Sequence, residues 1–275
     1  MWAFLMGYRR EQLGTVWNKK EKAMKKIIDV SHWQNTINWE AAKGAGIEGA
    51  IIKAGGSDAG FYTDSRFEDN YYKATAAGLP VGAYYFVGPK CVSKADGVAD
   101  AKRFLEIIKG KQFALPVYID LEATPTSAKA GATQACIGFC ETMEAAGYFC
   151  GIYASDISGF KNRLDISRLG SYSWWVARYG SAPKYATKNM HIWQYTSSGN
   201  VAGIARRVDM NECYVDFPTI IRSHGLNGFI REPETHDDPT VDAKTIEELT
   251  AKINELQEQN EALQGKIDAV KEAIK

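Results

Sequence analysis

The chain has 275 residues, 45% hydrophobic and 24% charged, the balance of an ordinary globular protein. Lys and Arg number 33 and so do Asp and Glu, which excludes a nucleic-acid binder that draws its affinity from phosphate neutralisation. No apolar run approaches the roughly 18 residues of a membrane span, and the five cysteines and four scattered histidines form neither a disulfide framework nor a metal-ligand cluster. The cysteines read as free thiols made in a reducing compartment.

Overall neutrality hides a division along the chain. Residues 1–26 carry 7 basic against 2 acidic residues, and residues 233–275 carry 5 Lys against 11 acidic residues and no aromatic ring. The expected organisation is a basic extension over 1–25, a folded body over 26–222, a linker over 223–243 centred on REPETHDDPT, and a helix over 244–275. The opening MWAFLMGYRR is too short an apolar stretch for a signal peptide, so synthesis in the cytoplasm is expected.

Eight short β-rich runs follow in the body, at 26–31, 49–55, 80–88, 116–122, 150–155, 173–179, 191–197 and 206–213. Helical stretches separate the first five, with Ala-Gly endings that signal helix C-caps. Alternation of this kind predicts a parallel sheet with helices outside. Eight strands in so short a body predict an α/β barrel of the irregular TIM-like kind, abbreviated where strands six to eight follow one another with little helix between. An open doubly wound sheet is the alternative, but no Gly-rich phosphate loop follows the first strand.

Side chains alternate along a strand. In PVYIDLE, Val117, Ile119 and Leu121 share one face and Tyr118, Asp120 and Glu122 the other, so both carboxylates point into the barrel with Cα atoms roughly 6–7 Å apart. Asp29 in the first strand and Asp209 in the eighth face inward by the same logic, and a closed barrel makes those strands neighbours. Four acids then converge at one mouth. An ion pair with an inward Arg such as Arg207 would account for a single acid, but not for four, because unpaired buried carboxylates are costly. Crowded acids push one another's pKa values apart, leaving one protonated and another ionised, which is what glycoside hydrolysis requires. An Asp-rich Mg²⁺ or Ca²⁺ site is the rival, although aromatic residues surround these acids rather than further oxygen ligands. Tyr84, Tyr153 and Trp175 suit either sugar stacking or interior packing, whereas Phe86 and Tyr195 suit packing.

In the tail, Ile246, Leu249, Ile253, Leu256, Asn260, Leu263, Ile267, Val270 and Ile274 fall at alternating steps of three and four, an a/d heptad over roughly 40 Å of helix. Ile at a, Leu at d and one Asn at a predict a parallel two-stranded coiled coil, hence a homodimer.

The runs DVSHWQ, GAYYF, IDLE, GIYAS, WWVARYG, HIWQYTSSG and VDMN stand in the order seen in glycoside hydrolase family 25, which the body resembles over about residues 26–217. The resemblance implies a barrel of five β/α units followed by three strands. It also implies muramidase action on the β-1,4 bond between N-acetylmuramic acid and N-acetylglucosamine of bacterial peptidoglycan, with net retention and no cofactor. It matches Glu122 to the general acid/base and Asp120 to a nucleophile or a stabiliser of the substrate's N-acetyl group. Asp29 and Asp209 match supporting acids, and Gln194 joins Tyr84, Tyr153 and Trp175 as a candidate substrate contact. Release to the cell wall in the manner of a phage endolysin follows. The chain departs from the family where relatives carry K-A-T-E-G, since here the run is KAGGSDAG from Lys53 to Gly60, and at Tyr85, where many relatives carry His. A chitinase-like hydrolase and a non-catalytic glycan-binding protein are the alternatives.

Overall fold

A strand that returns to a parallel neighbour needs a crossover, whereas an antiparallel neighbour needs only a turn; the connections of this chain use both. The computed structural model describes residues 25–231 and scattered positions between Glu248 and Leu263. The strands are β1 (Lys25–Val30), β2 (Ala50–Gly56), β3 (Tyr62–Thr63), β4 (Val81–Phe86), β5 (Val117–Asp120), β6 (Cys150–Ser155), β7 (Ser173–Ala177), β8 (Met190–Gly199) and β9 (Val208–Cys213). The helices are α1 (Trp39–Gly44), α2 (Phe67–Ala76), α3 (Lys94–Ile108), α4 (Lys129–Ala145) and α5 (Phe217–Ser223). Pairing runs β1-β9-β8-β7-β6-β5-β4-β2 and closes through β1 on β2, an eight-stranded barrel with β3 hanging on β2.

The expected all-parallel sheet holds for seven of the eight barrel strands. The last, β9, is antiparallel to both β8 and β1. The chain between Gly199 and Val208 is too short for a crossover helix, so β9 can only fold back as a hairpin. The two-residue β3 was absent from the expected strands because so short a run carries no periodicity. It pairs Tyr62 with Gly56, and a Cβ on Gly56 would stand 2.6 Å from the Phe86 carbonyl oxygen, so glycine is required for this close approach.

Alternation along each strand sorts side chains into two apolar layers. Ile28, Val30, Ile52, Val117, Ile119 and Leu121 pack outward against the helices. Ile27, Ile51, Tyr118, Tyr153, Trp175 and Ile192 fill the barrel. On α4, Ala132, Cys136, Phe139, Cys140 and Met143 recur at helical spacing on the buried face. Its predecessor α3 starts at Ser93, whose hydroxyl accepts from the Asp96 amide. Left-handed Gly46, Gly78, Gly110 and Gly147 follow α1 to α4. All five cysteines are buried and free. Tyr195, expected to fill the barrel, instead packs partly buried against the outer layer, because Ile192 and Gln194 take the inward positions of β8 and alternation turns Tyr195 out. No helix among the described residues is long and apolar enough to cross a membrane.

Residues 223–231, expected as the start of the linker, belong to the folded body. Asn227 is fully buried and closes the barrel floor: its Nδ2 donates to the Phe113 and Leu115 carbonyls, and its Oδ1 accepts from the Phe149 amide at 2.6 Å. Compact units divide at Glu232 and Pro233. Residues 1–24 and most of the expected linker lie outside the described residues, as do Ile246, Leu249, Ile253, Ile267, Val270 and Ile274 of the expected heptad. Leu256, Asn260 and Leu263 are helical and exposed. Asn227→Ala leaves three buried backbone groups without partners and is expected to cost about 3 kcal/mol. Urea denaturation of the two proteins measures this directly.

Candidate active site

The C-terminal ends of the parallel strands form one mouth, and the start of antiparallel β9 meets them there. Asp29 and Asp209 are direct register partners across β1 and β9. Asp120 ends β5, level with Phe86 on β4 and Tyr153 on β6, and Glu122 follows it. The four acids inferred from strand alternation are thus brought to one mouth. Arg207 neutralises none of them; it turns to the Ser198 hydroxyl on the surface.

Asp29 is 5% exposed. Its Oδ2 accepts from Gln194 Nε2 at 2.9 Å and from Asn211 Nδ2 at 2.8 Å. Each amide is itself fixed from behind. Gln194 Oε1 accepts from the hydroxyls of Tyr153 and Tyr179, both at 2.9 Å, and Asn211 Oδ1 accepts from Trp175 Nε1 at 2.7 Å. Trp175 is 1% exposed and Gln194 2%. Both were candidate substrate contacts, and the structure places them beneath the mouth instead. Trp175 faces inward on a strand covered by the Tyr84, Tyr118 and Tyr153 rings. Gln194 is consumed by the network. Tyr84 is half-buried over Trp175, and Tyr153 reaches the cleft.

Beside the mouth lies a cleft of about 670 Å³, lined among others by Phe86, Glu122, Tyr153, Arg163, Arg178 and Tyr179. That volume is typical of a small-ligand site. Phe86, expected as packing, forms part of this wall. The opposite wall depends on Asp156, which the sequence reading missed. Its Oδ1 accepts from the amides of Tyr185 and Ala186, and its Oδ2 from Lys184 N and Arg178 Nη1, all within 3.0 Å. Burial alone would raise the Asp156 pKa, but these donors together hold its carboxyl below the usual range. Only its place one residue beyond GIYAS at a strand end marked it. Tyr85 faces outward, donating to the Gly56 carbonyl and packing on Phe104 and Phe139, so the departure from His at this position does not touch the mouth.

The electrostatics follow from burial and crowding. Burial pushes the Asp120 carboxyl well up, Glu122 adds to this, and the Lys53 ammonium opposes it. Glu122 is exposed along one side but walled by the cleft, and burial raises it against the pull of Lys53 and Arg163. Burial and then Asp209 raise Asp29, while the Asn211 and Gln194 donors oppose them. Asp209 is pushed up to about 6, by burial and by Glu122. Such a set can present a protonated carboxyl and an anion together at one mouth. Among the described residues no group of three or more His, Cys, Asp or Glu side chains is arranged to hold a metal ion.

The comparisons agree with this architecture. Residues 28–204 match the family described as glycosyl hydrolases family 25. Lysozyme M1 of Streptomyces globisporus is 32% identical over 67% of this chain and 66% of its own length. The autolytic lysozyme of Clostridium acetobutylicum is 27% identical over 68% of this chain and 55% of its own length. The chain therefore spans between about half and two thirds of the curated relatives it matches. The solved bacterial lysozyme from Streptomyces coelicolor superposes with a TM-score of 0.59 at 28% identity, covering 75% of this chain and 98% of that one.

The raised Asp209 carries a stability signature. An unfolded Asp titrates near 3.8 and the folded one at about 6. Between those values the folded chain binds the proton that the unfolded chain releases, so stability falls as pH rises through the window. Asp209→Asn is expected to flatten this fall, visible as a smaller drop in Tm from about pH 4 to about pH 7.

Proposed function

We propose, for a chain that belongs to glycosyl hydrolase family 25, that it is a peptidoglycan hydrolase, a lysozyme of the N-acetylmuramidase type. It cleaves the β-1,4 bond between N-acetylmuramic acid and N-acetylglucosamine. The names of its relatives, lysozyme and autolytic lysozyme, support the substrate class. The observation that carries the chemistry is the pairing on one strand end of Glu122, open to the cleft, with Asp120, 4% exposed behind it.

Glu122 protonates the glycosidic oxygen as the bond to the anomeric carbon breaks, and its carboxylate then takes a proton from the water that completes hydrolysis. Asp120 supplies negative charge where positive charge develops, either by bonding to the anomeric carbon or by steadying the substrate's own N-acetyl group as it attacks. Both routes retain configuration. Asp29 and Asp209 form the second pair at the mouth, and Tyr84 and Tyr153 are the aromatic contacts left for sugar. Trp175 and Gln194 serve from beneath by fixing Asp29. No cofactor enters this chemistry. The enzyme reaches the wall after release from the cytoplasm, as an endolysin does.

Glu122→Gln keeps the side chain's shape and hydrogen bonding but cannot deliver a proton, so wall lysis is expected to fall about 1,000-fold while the fold persists. Zymography on purified walls measures it, and activity within tenfold of the unaltered chain overturns the acid role. Asp120→Asn should cost a similar factor, since a neutral amide cannot stabilise the developing positive charge. EDTA should leave lysis unchanged; a reversible loss would return these acids to the metal reading.

The tail is proposed to pair two barrels through its heptad, raising avidity on an insoluble polymer. Leu256 and Leu263 are apolar, helical and exposed, as a seam awaiting a partner would be. Light scattering is expected to give a dimer for residues 1–275 and a monomer for a chain ending at Arg231. Two monomers at tens of micromolar end the coiled-coil proposal.

A further inference from the structure

Acids outnumber cations at the mouth, and one lysine stands among them on the inner wall of β2. Lys53 is level with Tyr84 in the β2–β4 pairing, just before the ladder slips between Lys53 and Gly55. Beyond that irregularity the chain turns and β3 folds back on β2, bringing Tyr62 opposite Gly56. Phe86, level with Asp120, closes the other side. The Lys53 ammonium consequently lies 4.6 Å from the centre of the Phe86 ring and 5.6 Å from that of Tyr62. Two ring faces hold a cation in place without neutralising it. Nearby, Asp120 Oδ1 is buried with no hydrogen-bond partner among the described residues, the mark of a carboxylate whose charge is managed by field rather than by contact.

We propose that Lys53 is a positioning residue for the acid pair: its ammonium, clamped by Tyr62 and Phe86, is the counter-ion that lets Asp120 and Glu122 share one proton instead of holding two. The catalytic consequence rests on the hydrolase reading above, because that chemistry needs one acid and one anion together. The charge state itself does not depend on that reading. Burial and mutual repulsion both favour two protons on the pair, and Lys53 draws both carboxyls the other way.

The groups that face the pair are Asp29 from β1, Asp58 from the β2–β3 turn, Tyr62 from β3, Tyr84 from β4, Tyr153 from β6, Tyr179 beyond β7 and Asp209 from β9. Arg163 acts on Glu122, while its own donors are directed at the Thr124 and Ser158 carbonyls. Arg178 is engaged by Asp156 and His32 by Asp64. Among the described residues, Lys53 thus acts on both members of the pair.

The test is a carboxyl ¹³C NMR titration of the full chain, with wall lysis measured in parallel, for the unaltered protein, Lys53→Met and Lys53→Arg. In the unaltered protein one carboxyl of the pair is expected to ionise well before the other. In Lys53→Met both midpoints rise by about one in pH. The acidic limb of the rate profile rises with them, and kcat at the original optimum falls by up to about tenfold, with KM within threefold. Lys53→Arg restores both midpoints. Unmoved midpoints in Lys53→Met, or midpoints that stay raised in Lys53→Arg, overturn the proposal. Should Lys53→Met fail to fold, Lys53→Gln gives the same comparison under the same criteria. The titration needs no turnover, so an inert unaltered protein would refute the hydrolase reading while Lys53 is still judged by the midpoints.

Discussion

A carboxylate enclosed in a barrel needs donors, and the interior of this one is organised around supplying them to Asp29. Gln194 and Asn211 each spend an amide N–H on its Oδ2. Their carbonyl oxygens are held by Tyr153, Tyr179 and Trp175. Because every acceptor in this chain of bonds faces a donor, both amides have one workable orientation. The network ties β1, β6, β7, β8 and β9 together just beneath the mouth. The large rings therefore do two jobs: they fill the barrel, and they fix the polar groups on which the acids depend.

Antiparallel β9 is the second constraint. A parallel final strand would carry its first residues to the opposite end of the barrel. Folding back as a hairpin places Asp209, near the start of β9, at the same mouth as Asp120 and Glu122, near the end of β5. Asn211, two residues further on, is level with Ile27 and donates to Asp29 from below. The short connection after Gly199 thus decides the composition of the site as well as the topology.

Burying acids together works against stability, and the structure offsets this unevenly. Asp156, across the cleft from Glu122, receives four donors that hold its carboxyl below the usual range. Asp29 receives two. Asp120 keeps an oxygen without a hydrogen-bond partner among the described residues, and it stands directly behind Glu122, the acid that lines the open cleft. Among the acids at the mouth, Asp120 carries an unpartnered oxygen where chemistry is proposed, as expected if stability is traded for reactivity at the site.

Much of this was legible in the linear order of residues. Period-two alternation in PVYIDLE assigned Asp120 and Glu122 to the inner face, and a closed barrel implied that Asp29 and Asp209 would meet. Alternation is a local property, set by backbone geometry, and it survives without knowledge of the fold. What the sequence could not decide was depth and partnership. Trp175 and Gln194 share the inner face with the acids, but whether an inward residue lies at the mouth or beneath it depends on strand register. Register is settled by neighbours distant in the chain, as when Gln194 falls opposite Asn211 of β9. Lys53 stood in plain view within KAGGSDAG, yet only the fold-back of β3 onto β2 closes two rings around its ammonium. That Asn227 belongs to the folded body was hidden for the same reason, since nothing local to it reveals that Phe113, Leu115 and Phe149 wait for its amide. Pattern along the chain determined which faces turn inward; packing between segments far apart decided which of those residues meet, and which of them reach the cleft.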